Sequence, residues 1–183
     1  ERHLASLLGE REVIGIGEIG LDYHYNHSPQ DVQKEVFRRQ LKLAEKYKLP
    51  VEIHTRDAEF DTITILKEFH GKVKGVLHCF TGTQWLANEA LALGFDISIS
   101  GVCTFKNAES LRATIKGLPL DRIHIETDAP FMTPVPHRGK ENEPALGCSC
   151  VFQGICTYEL EPLNPKAFDA LPNLVMLQLE YDF

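Results

Sequence analysis

The chain has 183 residues, 43% of them hydrophobic and 25% charged, the balance of a globular protein with one sizeable core. Its net charge of −7 argues against a broad basic nucleic-acid surface, yet leaves room for a nuclease that holds phosphate through a few residues and a metal ion. No apolar run approaches the ~20 residues of a membrane span, and five irregularly spaced cysteines do not resemble a secreted disulfide framework, so the cytoplasm is the expected compartment.

The chain opens on Glu1, without an initiator Met, and reads into a strand within a dozen residues, as a fragment would. Strands are expected at "EVIGIGEIG" (12–20), "PVEIHTR" (50–56), "KGVLHCF" (74–80), "FDISISG" (95–101) and "RIHIETDA" (122–129). Each is rich in Ile or Val and bounded by Gly, Pro or charge, as strands buried in a parallel sheet are. Between the first two, Ser28 is the natural N-cap, Pro29 suits the first helical turn, and Asp31 favours the positive helix end. Val32, Val36, Phe37, Leu41, Ala44 and Tyr47 then make an apolar stripe. Helices are also expected over 57–70, over 83–94 with Gly94 as the C-terminal cap, and over 107–119 with Asn107 as the N-cap. This βαβαβαβαβ order predicts an α/β fold with a parallel sheet, in which ligands gather at the carboxyl ends of the strands. Residues 146–183 have no βα rhythm, hold Cys148, Cys150 and Cys156, and read as a separate, atypical tail from a frameshift or alternative splice; the "CSC" spacing is too irregular for a zinc knuckle.

The chemistry falls where the strands stop. Glu18 sits among Ile14, Ile16, Ile19 and Leu21, where an unpaired carboxylate is costly unless it protonates or finds a cation. His54, His78 and Asp128 end later strands at intervals of 36, 24 and 50 residues, the last spanning two βα units. Together these side chains suit Zn, or more loosely Mn, Fe, Co or Ni, in a site for metal-assisted hydrolysis. A lone strand-end His is more often a satisfied polar residue, and Glu18 alone accepts backbone hydrogen bonds or pairs with a cation equally well. Their recurrence at four strand ends is what favours a metal. Arg56 reads as a contact for an anionic substrate or a surface ion pair, His24 and His27 as loop residues at the mouth. Glu126 reads as a support for the site or an ion-pair partner, and Cys79 as a small buried residue.

"GIGEIGLDY", "PVEIHTRDA", "GVLHCFTGT" and "IHIETDAPFMTP…RGKENEPA" occur in that order and closely resemble the TatD family of metal-dependent hydrolases, known as deoxyribonucleases. The resemblance runs from about residue 10 to Ala145. It implies an amidohydrolase-type (β/α) barrel with two divalent ions (Zn, Mg or Mn), of which this chain would carry strands four to eight of eight. By the same resemblance Glu18 is the bridging carboxylate, His54 and His78 complete one metal position, and Asp128 is both ligand and general base. Arg56 and the Arg138–Asn142–Glu143–Pro144 segment match family positions near the mouth, and Arg56 and Arg138, together with the loop residue His24, are the expected substrate contacts. Family members begin with a His-x-His strand, and no His-x-His occurs here, so a single ion on Glu18, His54 and His78 is the smaller expectation. The implied activity is hydrolysis of DNA phosphodiesters, in DNA catabolism, by metal-activated water. The alternatives are a small-molecule ester or amide metallohydrolase, or an inactive fragment with a binding role.

Overall fold

A strand whose alternate residues are large and apolar must bury one face, and three segments near the amino end do so. In the computed structural model, which describes Leu7, Leu8, Glu10 and residues 12–146, these are β1 (Ile16–Asp22), β2 (Val51–Arg56) and β3 (Gly75–Leu77). Ile19 and Leu21 of β1, Val51 and Ile53 of β2 and Leu77 of β3 are at most 2% exposed, while the residues between them carry the polar chemistry. β1 pairs in parallel with β2, and β2 with β3, with Gly20 beside His54 and Ile53 beside Leu77. A register irregularity between Ile16 and Ile19 lies under Glu18.

The apolar face is covered by α1 (Gln30–Tyr47), which packs on β1, and α2 (Glu59–Glu68). α1 buries Gln33, Phe37, Leu41 and Ala44, one face at helical spacing. Val32 and Val36, expected in that stripe, are instead 46% and 42% exposed. The stripe is turned because Gln33 is drawn inward: its side chain accepts from the Asp22 N–H (2.9 Å) and donates to the carbonyls of Asp22 (3.0 Å) and Ser28 (2.8 Å). Ser28 therefore serves Gln33 through its carbonyl, and Pro29 occupies the N-cap position without a side-chain cap. α2 is tied to β2 by the Thr55–Thr62 hydroxyl pair at 2.8 Å. α3 (Gln84–Ala92) buries Leu86, Ala87 and Ala90, and Gly94 follows in the left-handed region at φ 91°, as its C-terminal position requires.

The chain divides into two compact units. The first, described so far, takes residues up to His78 and Trp85–Asp96, among the described residues. The second takes Cys79–Gln84 and the residues from Ile97 on. In the second, β4 (Asp96–Ile99, of which Ile97–Ile99 belong to this unit) and β5 (Ile123–Ile125) pair in parallel, with Ile97 beside Ile123 and Ile99 beside Ile125. Between them α4 (Glu109–Lys116) buries Leu111, Thr114 and Ile115. It starts after Ala108, not at an Asn107 cap. Arg112 of α4 donates to the carbonyls of Cys103 (2.9 Å) and Phe105 (2.8 Å), satisfying backbone acceptors of the preceding 3-10 turn.

All five expected strands are present and every pairing among β1–β3 and within β4–β5 is parallel, an α/β fold. Among the described residues no helix is long and apolar enough to cross a membrane. The expectations for residues 147–183, including Cys148, Cys150 and Cys156, lie outside the described residues.

Candidate functional site

Strand parity decides which side chains meet. On β1 it sets Glu18, Gly20 and Asp22 on the face opposite Ile19 and Leu21; on β2 it sets Glu52, His54 and Arg56 opposite Val51 and Ile53. His78 follows β3 directly, on the face opposite Leu77, with its N–H donating to the Ile53 carbonyl at 2.9 Å. Three parallel strands thus present Glu18, Asp22, Glu52, His54 and His78 on one face, with Asp22 and His78 at or just past the carboxyl ends of their strands and Glu52 near the amino end of its own.

The five form a chain of contacts. His54 Nδ1 lies 2.8 Å from Glu18 Oε1, and its Nε2 lies 3.0 Å from Asp22 Oδ2. His78 Nδ1 lies 3.0 Å from Glu52 Oε1, and its Nε2 is 4.0 Å from Glu18 Oε1. Each histidine is therefore gripped at one ring nitrogen by its own carboxylate, Asp22 or Glu52, and turns the other toward the shared Glu18. Gly17 makes the second grip possible: a Cβ there would stand 2.7 Å from Glu52 Cβ and 2.8 Å from its Oε2.

The electrostatics follow from that crowding. Burial disfavours the His54 imidazolium, but hydrogen bonds and charge from Glu18 and Asp22 outweigh it and hold its pKa above 6.5, the ordinary value. Burial likewise pushes Asp22 upward, but the N–H of Tyr25 and the bond to His54 outweigh it and leave its carboxyl below the usual range. When its imidazole is protonated, His54 bridges two carboxylates through one N–H on each ring nitrogen, with the Nδ1 proton facing Glu18. A divalent ion would take the place of that proton, and one histidine nitrogen each from His54 and His78 with the Glu18 carboxylate are the donor types it takes. Asp22 and Glu52 would then orient the imidazoles, the usual support of a metal-binding histidine.

In the second unit, Asp128 lies three residues beyond β5 rather than at a strand end, with its backbone in the left-handed region at φ 55°. Its Oδ2 is 3.8 Å from Cys79 Sγ, which also meets the Ser100 hydroxyl at 3.1 Å. Cys79 is thus half-buried among polar partners rather than packed as an apolar residue. Glu126 accepts from the Cys79 N–H (2.7 Å) and from the Ser98 hydroxyl. The loop carrying Asp128 is clamped by buried Asn142, whose amide donates to the carbonyls of Thr127 and Phe131, both at 2.7 Å. That clamp explains the Asn of "KENEPA" in physical terms: it satisfies two carbonyls flanking Asp128 and accepts from the Glu143 N–H at 3.0 Å.

Residues 1–157 match the sequence model of the family described as TatD related DNase. The chain belongs to the TatD family of metal-dependent hydrolases. It is 50% identical over 143 residues to the metal-dependent hydrolase YabD of Bacillus subtilis, covering 78% of this chain and 56% of that protein. It is 42% identical over 147 residues to the 3'-5' ssDNA/RNA exonuclease TatD of Cronobacter sakazakii, covering 77% of this chain and 56% of that one. Among solved structures, the TatD homologue YjjV of Escherichia coli K12 superposes with a TM-score of 0.80 at 33% identity, over 88% of this chain and 62% of its own. The chain thus spans little more than half the length of these relatives.

Within this TatD-family chain the sequence-predicted residues fall unevenly. Glu18, His54 and His78 are brought together on one face of β1–β3. Arg56 sits with its guanidinium carbon 5.1 Å from the Tyr25 ring centroid, and His24 pairs with Asp57 at 3.2 Å on the surface. Arg138 stacks over Phe105 at 3.9 Å and donates to the Thr133 carbonyl at 3.1 Å, contacts that build the loop after β5. Asp22 and Glu52 went unnoticed in the sequence. Parity alone marks them, since Asp22 shares a strand face with Glu18 and Glu52 shares one with His54.

Two outcomes follow for the first unit. Asp22→Asn and Glu52→Gln keep the side-chain volume while weakening the grip on His54 and His78. Each is expected to lower zinc affinity about 10- to 100-fold with the fold retained, measured by competition with a chelating dye; unchanged affinity in both would deny them an orienting role. The raised His54 pKa sets the pH dependence. In chelator, His54 stabilises the fold fully below its unfolded pKa near 6.5, and that contribution is lost as pH rises through the higher folded value. The Tm difference between the wild type and His54→Gln should therefore shrink as pH rises above about 6.5. Metal affinity should run the other way and climb over the same interval, because the ion displaces a proton. A zinc affinity flat across that interval would refute the exchange.

Proposed function

We propose that this chain carries the metal-binding portion of a hydrolase that cleaves phosphodiester bonds of DNA with water. The observation that carries the reading is the pair of carboxylate-gripped histidines, His54 and His78, both turned toward Glu18. A divalent ion held there supplies Lewis acidity toward a phosphoryl oxygen and lowers the pKa of a water in its shell. Glu18, His54 and His78 would hold it, and the negative charge of Glu18 keeps the ion's binding favourable in a half-buried place. Asp128 is proposed, on the family resemblance, as a further ligand and as the acceptor of the water's proton. Its loop is prepared for such a role by Asn142, which fixes the backbone on both sides of it. Arg56 is proposed to meet a phosphate of the substrate, with Arg138 carried as a substrate contact by resemblance and His24 by its place in the loop after β1. The five strands would correspond to strands four to eight of a TIM-like barrel.

Preference for nucleic acid is supported by the name of the Cronobacter relative, a 3'-5' ssDNA/RNA exonuclease. The test is reconstitution of the purified chain with Zn or Mn, followed by elemental analysis and incubation with a labelled DNA strand and an aryl ester. Bound metal with chelator-sensitive cleavage of DNA is the expected result. Retention of no metal would end the reading, and cleavage of the ester alone would replace it with a small-molecule hydrolase.

A further inference from the structure

Three large aromatic side chains stand in water at corresponding places in the first unit. Tyr25 lies three residues beyond β1, Phe60 is the second residue of α2, after β2, and Trp85 is the second residue of α3, after β3. They are 60%, 72% and 43% exposed, although rings of this size normally supply core or interface area. Because β1, β2 and β3 run parallel, the segments that follow them leave from one edge, the edge toward which Glu18, His54 and His78 are displayed.

The rings are also arranged. Phe60 and Trp85 lie nearly parallel, 14° apart in plane with centroids separated by 6.5 Å. Tyr25 stacks on His27 at 5.7 Å and 4°, His24 meets its edge at 4.9 Å, and the Arg56 guanidinium stands 5.1 Å from its centroid. The Tyr25 loop is held in advance of any ligand. The Tyr23 N–H donates to the Arg56 carbonyl (2.9 Å), the Tyr23 hydroxyl to Asp61 (2.6 Å) and the Tyr25 N–H to Asp22 (2.8 Å). Asp22 thereby joins the aromatic loop to the imidazole of His54.

Exposed, fixed π-faces beside a guanidinium recognise flat aromatic rings attached to anions. Bases of a duplex are stacked on each other and hide their faces, whereas unpaired bases offer them. Stacking also resolves the difficulty posed by charge: with 19 Lys and Arg against 26 Asp and Glu, the chain has no general electrostatic hold on a polyanion, and another source of affinity is required. We infer that Tyr25, Phe60 and Trp85 form a base-stacking rim that receives the unpaired bases of a single-stranded nucleic acid, with Arg56 meeting its phosphate. This rests on the nucleic-acid reading of the same site and, for the single-stranded substrate in the Cronobacter relative's name, assigns the side chains that would hold the strand by its base faces, independent of base sequence.

Trp85 is the chain's one tryptophan, so its emission reports stacking directly. The full chain, kept in chelator so that nothing is cleaved, would be titrated with a single strand of roughly 15 nucleotides, within the span of one such site. A duplex and an abasic strand of equal length carry the same phosphate chemistry without accessible base faces. The single strand should quench Trp85 and bind at least about 10-fold tighter than either control. Phe60→Ala and Tyr25→Ala should each weaken it by about 5- to 150-fold, whereas Phe60→Tyr and Tyr25→Phe should retain it. Equal binding of the abasic strand, or alanine variants with unchanged circular dichroism and unchanged affinity, would overturn the inference. Quenching without any metal-dependent cleavage would leave the rim standing and remove the hydrolytic reading. Cleavage that is indifferent to the aromatic variants would do the reverse.

Discussion

Glu18→Gln should abolish stoichiometric metal binding while leaving the chain folded. The substitution keeps the shape of the side chain and removes its charge at the point where His54 approaches to 2.8 Å and His78 to 4.0 Å. Two losses coincide. A divalent ion loses a full negative charge at contact distance, where opposite charges about 4 Å apart already interact by roughly 4 kcal/mol at an effective dielectric of 20. The His54 imidazolium also loses one of its two carboxylate partners, so its raised pKa should fall back toward the ordinary value. The loss in affinity is expected to exceed the ~100-fold upper range for an orienting partner such as Asp22, because Glu18 would touch the ion itself. Elemental analysis after reconstitution reads the first effect, and histidine NMR titration in chelator reads the second. Wild-type metal content in the variant would remove Glu18 from the site.

The site was half legible in the sequence, and the unread half has a physical reason. Glu18, His54 and His78 stand out because ionisable side chains at the ends of apolar strands are costly and invite explanation. Asp22 and Glu52 are just as ionisable, but each sits in a stretch of mixed polarity where a carboxylate looks solvated. Only pairing β1 with β2 and β2 with β3 brings them to the imidazoles, and register is a long-range property. Local signals failed in the same manner at α1. Ser28 and Pro29 point to one N-cap, and Val32 and Val36 to one stripe, yet Gln33 overrides both by bonding to the backbone of Asp22 and Ser28. Periodicity places a helix, but a buried polar side chain with three hydrogen bonds can rotate it about its axis. The aromatic rim escaped for a related reason. Tyr25, Phe60 and Trp85 are far apart in sequence, and nothing local distinguishes them from rings destined for the core.

Gly20→Ala should be the most damaging single substitution in the first unit, and it tests whether backbone closeness between β1 and β2 positions the site. Gly20 has a φ of 138°, a conformation that side chains of the natural hand rarely adopt, so any replacement is strained before packing is considered. A Cβ at that position would also lie 1.9 Å from the carbonyl oxygen of His54, which is backbone and has no rotamer to give. Strain of about 1–3 kcal/mol and a similar cost of overpacking together make a loss of roughly 2–6 kcal/mol, a large share of the 5–15 kcal/mol that holds a domain together. The strand pair can escape only by parting, and parting moves His54 away from both Glu18 and Asp22, since these lie two residues on either side of Gly20 on the same face. The expected result is a chain that melts far below the wild type in denaturant, and whose remaining folded fraction binds zinc poorly. A Gly20→Ala protein with native stability and native zinc affinity would mean that the close approach of β1 and β2 is not what holds His54 against its two carboxylates.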